Sequence, residues 1–439
     1  MSLSAQSEQQ AEKLSLTECI NTALDNNIQI QQAENNLIVA KATRFQTIFN
    51  YLPRIGASGG YYIRNGNYFD NAVDRFITET TRSFSMGASA SVVLFNGFNN
   101  KHSLQSAVHN FRSSEANLDG QKLDVEANVL SAYMNILMDK ENLEVSSQRI
   151  DLLQAQYERA VKRESVGVGN LEDVYNFQSQ VANEKLNNVN LSNQLQSDYL
   201  TLIQILQLDP SQKYQIEEFG DLDDVELTAI DSYSEVLSDA LGFSPQLKSA
   251  NSAFESARYD YYSAHSVFIP SISAYYAYGT GYSSNGAINP DNGQFEADAD
   301  FTTQLGYNIQ PNMGFEFNIP IFTRFNNRTT FQTAKVGMLN AQLDVESARV
   351  NITNTVQQVF QDLVAAQSTY RAAQENLLAL EQSYEYAKKR YETGNTDFYT
   401  YLESLNNKNN AEIQLVNAKY GIIFRQKILD IYRGQESNE

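Results

Sequence analysis

Tryptophan is absent from the 439 residues, and cysteine occurs once, at Cys19. A single cysteine excludes any disulfide within the chain. Its flanks, LSLTECINTAL, read as an amphipathic helix with no apolar run before them, so Cys19 is expected to be a small buried residue, not a lipid-modified one. Proline is scarce (7) and glycine modest (21), which leaves room for long uninterrupted elements. Basic residues are also few: 32 Lys and Arg stand against 52 Asp and Glu, a formal net charge of −20. So acidic a chain lacks the cationic surplus of a phosphate-backbone binder, and no nucleic-acid partner is expected. No apolar run reaches the roughly eighteen residues of a membrane-spanning helix. No signal peptide is visible. The opening MSLSAQSEQQ reads as an added start joined to a mature N-terminus, so residues 1–13 are expected to be disordered, and residues 434–439 form a C-terminal tail.

Catalytic signatures are missing too. There is no P-loop, no Gly-rich dinucleotide fingerprint and no HExxH. The three histidines are His102, His109 and His265. His102 and His109 lie seven residues apart, so a helix would put them on one face; packing or solvation explains them more simply than a metal. No enzyme activity, metal or cofactor is expected.

What the chain does have is a long-range repeat. YERAVKRESVGVGN (157–170) returns as YEYAKKRYETGN (384–395), 227 residues on. NIQIQQAENNLIVAKATRFQTIFNYLPRI (27–55) is echoed by SPQLKSANSAFESARYDYYSAHSVFIPSI (244–272), and VVLFNGFNNKHSLQSA (92–107) by IPIFTRFNNRTTFQTA (319–334). Each half has one order: a helix stopping at Pro53 or Pro270, two strand-like runs, a long helix, a glycine turn and a second long helix. The first repeat spans 14–220 and the second 236–433, with an acidic, weakly periodic segment at 209–235.

The strands rest on alternation. Strands are expected at about 54–65, 83–95, 271–282 and 303–321. The last is the clearest: from Leu305 to Ile319 the apolar residues Leu305, Tyr307, Ile309, Met313, Phe315, Phe317 and Ile319 fall on odd positions. The stretches NGNYFDNAVDRFITETTRS and SSNGAINPDNGQFEADAD are expected as loops. Two soluble hairpins packed on helices would satisfy the pattern. So would a membrane barrel, but four strands cannot close one, and open edges are not tolerated in lipid, so that alternative requires an oligomer.

The helices are expected over 98–207 and 325–433 as two helical hairpins, each opening with a helix near 100 Å long at about 1.5 Å per residue. Apolar residues recur at helical spacing in Leu123, Val125, Val129, Leu130, Tyr133, Ile136 and Leu137, as in a bundle with much polar surface. The hairpins turn at Gly167 and Gly169, and at Gly394, where left-handed backbone is available.

A duplicated unit of strand hairpin plus long helical hairpin, with LPRI and IPSI before the first strands, LFNGFNN and IFTRFNN after the second, and RESVGVGNLEDVYNFQ and RYETGNTDFYTYLES at the tips, resembles the outer-membrane efflux protein (TolC-like) family over residues 14–433. The resemblance implies an α+β membrane protein. Three copies with four strands each would form a 12-stranded outer-membrane β-barrel, continued by an α-helical periplasmic barrel. Residues 209–235 would join the C-terminus in an equatorial belt. It implies a homotrimer, outer-membrane lipid around the strands, a periplasmic adaptor and an inner-membrane pump as partners, and a location in the outer membrane of a Gram-negative bacterium with a large periplasmic portion. The expected function is a passive exit duct for tripartite efflux or type I secretion. The rival is a soluble coiled-coil scaffold.

The resemblance also assigns residues. Asp173 takes the place of an aspartate that accepts a hydrogen bond from a tyrosine on the other hairpin, here Tyr391, in a link that holds the duct closed. The family's second link, arginine to threonine, is not kept: Thr396 and Glu172 stand there. Two aspartate rings at the narrowest point become Thr400 and Glu403, so one carboxylate ring remains, with Asp397 near by; as plain helix-surface residues, Glu403 and Asp397 would simply be solvated. Gly167, Val168, Gly169, Gly394 and Asn395 lie at turns that adaptors grip. Arg163 and Arg390 end the preceding helices, where a cation meets the helix dipole.

Overall fold

A computed structural model describes residues 12–70, 74–212, 214–218 and 231–435. Strand β1 (Glu12–Leu14) leads into helices α1 (Leu16–Asn26) and α2 (Ile28–Phe49), strands β2 (Arg54–Asp70) and β3 (Arg75–Asn96), and helices α3 (Asn99–Ser165) and α4 (Leu171–Leu206). Then come β4 (Tyr214–Ile216), α5 (Tyr233–Phe243), α6 (Pro245–His265), β5 (Ser271–Ser283), β6 (Ala287–Ile288), β7 (Phe295–Glu296), α7 (Phe301–Tyr307), β8 (Gln310–Asn318), α8 (Asn326–Glu392) and α9 (Phe398–Arg433). The repeat is metric as well as textual: α3 and α8 have 67 residues each, α4 and α9 have 36 each.

The single leading helix expected in each half is two helices. Asn27 interrupts the first, its Oδ1 accepting from the Gln29 amide at 2.8 Å. Ser244 interrupts the second, its hydroxyl accepting from the Leu247 amide at 3.2 Å, and Pro245 supplies a first helical residue that needs no donor. Both α1 and α5 open with capping boxes, Ser15 with Glu18 and Ser232 with Glu235.

The chain divides into two compact units. The first takes residues up to Leu37, then Ser114–Ser249 and from Val345 on. It is helical, and its main core gathers Cys19, Ile30, Val129, Leu130, Ile136 and Leu206. Cys19 is buried there, and burial pushes its thiol up to about 12. Residues 1–11 lie outside the described residues. Of the N-terminal segment expected to be disordered, 12 and 13 instead belong to β1, which pairs in parallel with β4. Tyr133 secures that pair by donating to the Glu217 carbonyl at 2.5 Å. Within 209–235, residues 213 and 219–230 are outside the described residues; Arg433, near the C-terminus, bonds Asp231 at 2.7 Å and Asp239 at 2.8 Å. Gly434 closes α9 in left-handed backbone, and 436–439 lie outside the described residues.

One seam of α3 steps by threes and fours through Val125, Val129, Ala132 and Ile136, all buried. It then turns polar for four successive places, Asp139, Asn142, Ser146 and Arg149, before Leu153 and Ala160 resume it. Each polar residue finds a partner. Asp139 shares a hydrogen bond with Asp198 of α4. Asn142 donates to Asn417 of α9 at 3.1 Å, Ser146 donates to Glu184 of α4 at 2.7 Å, and Arg149 lies 3.5 Å from the same carboxylate. Apolar burial supplies the cohesion above and below, and hydrogen bonds supply it between.

The second unit takes Ile38–Ser113 and Ala250–Asp344. Its sheet is antiparallel with order β2-β3-β5-β8, so β2 and β8 are free edges. Two expectations are corrected here. First, of the stretch 65–83 expected as a loop, 65–70 and 75–83 are strand: β2 and β3 pair without a register shift out to Asp70 and Arg75, and 71–73 lie outside the described residues. Second, the strand expected over 303–321 is shortened to nine residues, because 301–307 is a helix. Asp300 caps that helix by accepting from the Thr303 amide at 2.8 Å. Gln304, an "outward" residue in the alternation, is fully buried, its carboxamide spanning Ser283 and Ala299. Phe301 packs on Phe84 and Tyr282 at 5.6 and 5.4 Å. The odd-numbered apolar residues also fit an i, i+4 helical face, and the capping aspartate decides between the two.

Both strand-to-helix junctions use the same sharp turn. Gly97 and Phe98 have φ of 65° and 68°, and their counterparts Arg324 and Phe325 have 49° and 63°. Consecutive left-handed residues are costly outside glycine. Asn99 steadies the first junction by donating to Ser263 and Ser266, and Asn327 the second by donating to the Val267 carbonyl at 2.6 Å. The repeated FNN thus anchors both junctions, through its second residue in the first half and its third in the other. His102 and His109 do share a face, and both stack on Tyr259, at 6.2 and 5.5 Å. Among the described residues no helix is long and apolar enough to cross a membrane.

Candidate functional site at the helical tips

The helical hairpins α3–α4 and α8–α9 end in turns of identical construction. At the first, the Gly167 amide donates to the Glu164 carbonyl at 2.9 Å and the Val168 amide to Arg163 at 3.0 Å. At the second, the Gly394 amide donates to Tyr391 at 3.1 Å and the Asn395 amide to Arg390 at 2.8 Å. Gly167 and Gly394 have φ of 78° and 73°, where a Cβ is strained. Gly169 does not share that conformation, against expectation. Its reason is space: a Cβ there would stand 2.6 Å from the Glu164 nitrogen. Asn170 and Asp397 then cap α4 and α9.

Several expected site residues have local roles. Asp397 accepts from the Thr400 amide at 2.8 Å and from its hydroxyl at 3.1 Å, which holds its carboxyl below the usual range. Arg390 reaches forward to the Asn395 carbonyl at 3.2 Å. Glu172 sits exposed in the first turn of α4, and Val168 is exposed at the turn. Thr396 is half-buried beside the cap, and Glu403 is exposed on α9 and takes no part in the links that follow.

At the tips, two links among the described residues join the hairpins. The Tyr391 hydroxyl donates to Asp173 Oδ2 at 3.0 Å. Burial, then the neighbouring Asp173 charge, pushes the Tyr391 phenol up, so it remains a donor throughout the physiological range. One residue further, Glu392 Oε1 accepts from Arg159 Nη1 at 2.7 Å. Between the links lies an aromatic core. Tyr391 stacks on Tyr401 at 4.9 Å and 14°, Tyr401 lies 6.0 Å from Tyr384, and Phe177 meets Phe398 edge-on at 4.7 Å. The Tyr384 and Tyr401 hydroxyls are buried without a partner among the described residues.

Sequence reading missed the Arg159–Glu392 pair. Its members are 233 residues apart, and the residue 227 beyond Arg159 is Tyr386, so the repeat gives no hint. It also missed the polar seam, although the stepping from Val125 to Ala160 was there to follow.

Paired helical hairpins with tips tied together, a duplicated strand–helix order and an open four-stranded sheet define a class of outer-membrane channel subunits. The model for the outer membrane efflux protein family matches residues 19–207 and 236–427, one segment in each repeat. The chain belongs to the outer membrane efflux protein family, a family of channels and not of enzymes. Comparison with curated protein sequences finds no match. Among solved structures, the outer membrane protein VceC from Vibrio cholerae superposes with a TM-score of 0.78 at 16% identity, covering 95% of this chain and 96% of its own. The Campylobacter jejuni CmeC outer membrane channel gives 0.74 at 20%, covering 100% and 92%. The open state of the Neisseria gonorrhoeae MtrE outer membrane channel gives 0.68 at 20%, covering 96% and 88%. At such identities the likeness concerns the fold.

Proposed function

We propose that the protein is the outer-membrane exit duct of a tripartite efflux or type I secretion system, acting as a homotrimer. The observation that carries this reading is the four-stranded sheet with two free edges, whose outer strand exposes Met313, Phe315 and Phe317 on one face. Large bare apolar side chains are unfavourable in water and at home in lipid, while unpaired strand edges are a hazard in water and not tolerated in lipid, so the sheet calls for neighbours. Three copies joined β2 to β8 supply twelve strands and leave no edge. The chain then lies in the outer membrane of a Gram-negative bacterium, with its helical part in the periplasm. An even number of strands leaves both helical hairpins on the same side.

Conduction is passive. The Tyr391–Asp173 bond holds the α8–α9 tip against α4 in the closed duct. A periplasmic adaptor, coupled to an inner-membrane pump, grips the turns at Gly167, Val168, Gly169, Gly394 and Asn395, flanked by Arg163 and Arg390, and parts the tips. Thr396 and Glu172 leave the family's arginine link unmade. With Asp397 committed to its cap and Thr400 uncharged, Glu403 supplies the one carboxylate ring, which favours cations where water is confined.

The test is mass determination in detergent followed by recording in planar bilayers. A trimer giving small, cation-selective steps that grow in Tyr391→Phe supports the reading. A monomer without membrane affinity or conductance overturns it.

A further inference from the structure

The last turn of α8 carries adjacent side chains that leave in different directions. Tyr391 bonds Asp173 on α4, and Glu392 bonds Arg159 on α3. Two consecutive residues therefore fasten the α8–α9 hairpin to both helices of the other hairpin. The surroundings of the two bonds differ. Tyr391 is half-buried against the ring of Tyr401, whereas the Arg159 and Glu392 side chains are 54% and 42% exposed. In the single chain, one bond belongs to the tip's aromatic core and the other is open to solvent.

We infer that Arg159 and Glu392 form a second, ionic fastening of the closed tip, and that ionic strength or a charged partner surface acts on this fastening before it acts on Tyr391–Asp173. The inference rests on the exit-duct reading above. It stands on three features of this chain. The pair joins elements that the hydrogen bond does not, since Arg159 lies on α3 and Asp173 on α4. It is charged on both sides and set at hydrogen-bond distance, so it has direction as well as attraction. It is also open to water, so ions in solution compete with it directly. A partner presenting a carboxylate to Arg159, or a cation to Glu392, would exchange one ion pair for another, and the tip would lose its tie to α3 at little net cost.

The experiment records single channels of the full-length protein extracted in detergent. Parent, Tyr391→Phe, Arg159→Gln, Glu392→Gln and the charge-exchanged double variant Arg159→Glu with Glu392→Arg are compared. Recordings are made at about 0.1 M and about 1 M KCl, where the screening length falls from about 10 Å to about 3 Å. Arg159→Gln and Glu392→Gln are each expected to raise the open fraction about two- to five-fold at low salt, as loss of one exposed ion pair implies. The parent should approach the two single charge variants at high salt, and the exchanged double variant should return to parental behaviour, which general weakening of the helices would not produce. If Tyr391→Phe opens the channel while the three charge variants match the parent at both salts, the ionic fastening is wrong and the duct stands. If the exchanged double variant opens as much as the two single variants combined, the pair is not the cause and the inference falls. If neither the parent nor any variant conducts, the duct reading fails and takes the inference with it.

Discussion

The hydroxyl of Tyr391 donates to the carboxylate of Asp173 across 218 residues of sequence, at 3.0 Å, and joins the last turn of one helix to the first turn of another. Because the Tyr391 ring is also stacked on Tyr401, the bond and the packing can be separated by substitution. Tyr391→Phe keeps the stack and removes the donor, at a cost of about 1 kcal/mol. Tyr391→Ala removes both and costs about 3 kcal/mol or more. Amide hydrogen exchange over 384–401 reads the two: protection should fall in both variants, further in the second. Equal losses would mean that the hydroxyl contributes everything and the ring nothing.

Glycines in this chain predict opposite signs at different places. Gly394→Ala puts a Cβ on a residue at φ 73° and should destabilise by about 1 kcal/mol. Gly337 lies inside α8 with open space where a Cβ would go, so Gly337→Ala should stabilise by about 0.5–1 kcal/mol. Thermal unfolding of the two variants beside the parent measures both.

The buried Asp139 carboxyl in the α3 seam, beside Asp198 of α4, makes stability depend on pH. Burial, reinforced by Asp198, pushes the Asp139 carboxyl from its ordinary 3.8 up to about 7. The folded chain therefore holds a proton that the unfolded chain has released, and stability from this site falls as pH rises from about 4 to about 7. Asp139→Asn should flatten that part of the profile and leave the variant more stable than the parent by about 1–2 kcal/mol near pH 8. Urea unfolding near pH 5 and near pH 8 decides it. A variant weaker than the parent at both values would show that the fold needs the Asp139 carboxylate itself and that the site holds no extra proton.

Glu403 is exposed on α9 and engaged in none of the tip links. On the exit-duct reading its replacement should change which ions pass without changing how firmly the chain folds. Glu403→Gln is expected to lower the cation-to-anion permeability ratio several-fold, with a stability within about 0.5 kcal/mol of the parent's. Reversal potentials in a salt gradient give the ratio. An unchanged ratio would remove Glu403 from the conducting path.

Much of this fold was written plainly. Helical hairpins expected over 98–207 and 325–433 run from Asn99 to Leu206 and from Asn326 to Arg433, because few prolines or glycines interrupt them and glycines mark both turns. The strand side was harder. Alternation from Leu305 to Ile319 fitted a strand without a break, and only the capping hydrogen bond of Asp300 and the burial of Gln304 turn its first half into a helix. Alternation reports which side chains share a face; it does not report what a polar side chain meets when buried. The residues of the tip bond were legible through family resemblance, since nothing local in Asp173 or Tyr391 names the other. Arg159 and Glu392 were not legible at all, because an ion pair between helices so far apart in sequence exists only once the hairpins are docked. Along α3 the apolar run ends at Leu137, and the seam continues in polar residues whose partners lie on α4 and α9.

The equal lengths of the duplicated helices set a rule for how this chain can change over generations. A residue inserted into α3 would rotate everything beyond it by about 100° and carry it about 1.5 Å along the axis. Asp139, Asn142 and Ser146 would then face away from α4 and α9, and Arg159 would leave Glu392. A matching insertion in α8 alone could not restore the first set, and one in α4 alone could not restore the second. Drift in length is thus barred from the helical hairpins and pushed into the strand side. There the halves have already parted: one carries a ribbon running to Asp70 and Arg75, the other a nine-residue strand beside a capped helix. The turns at Gly167 and Gly394 are fixed points of the duplication, and the connections between strands are where new sequence can be accepted.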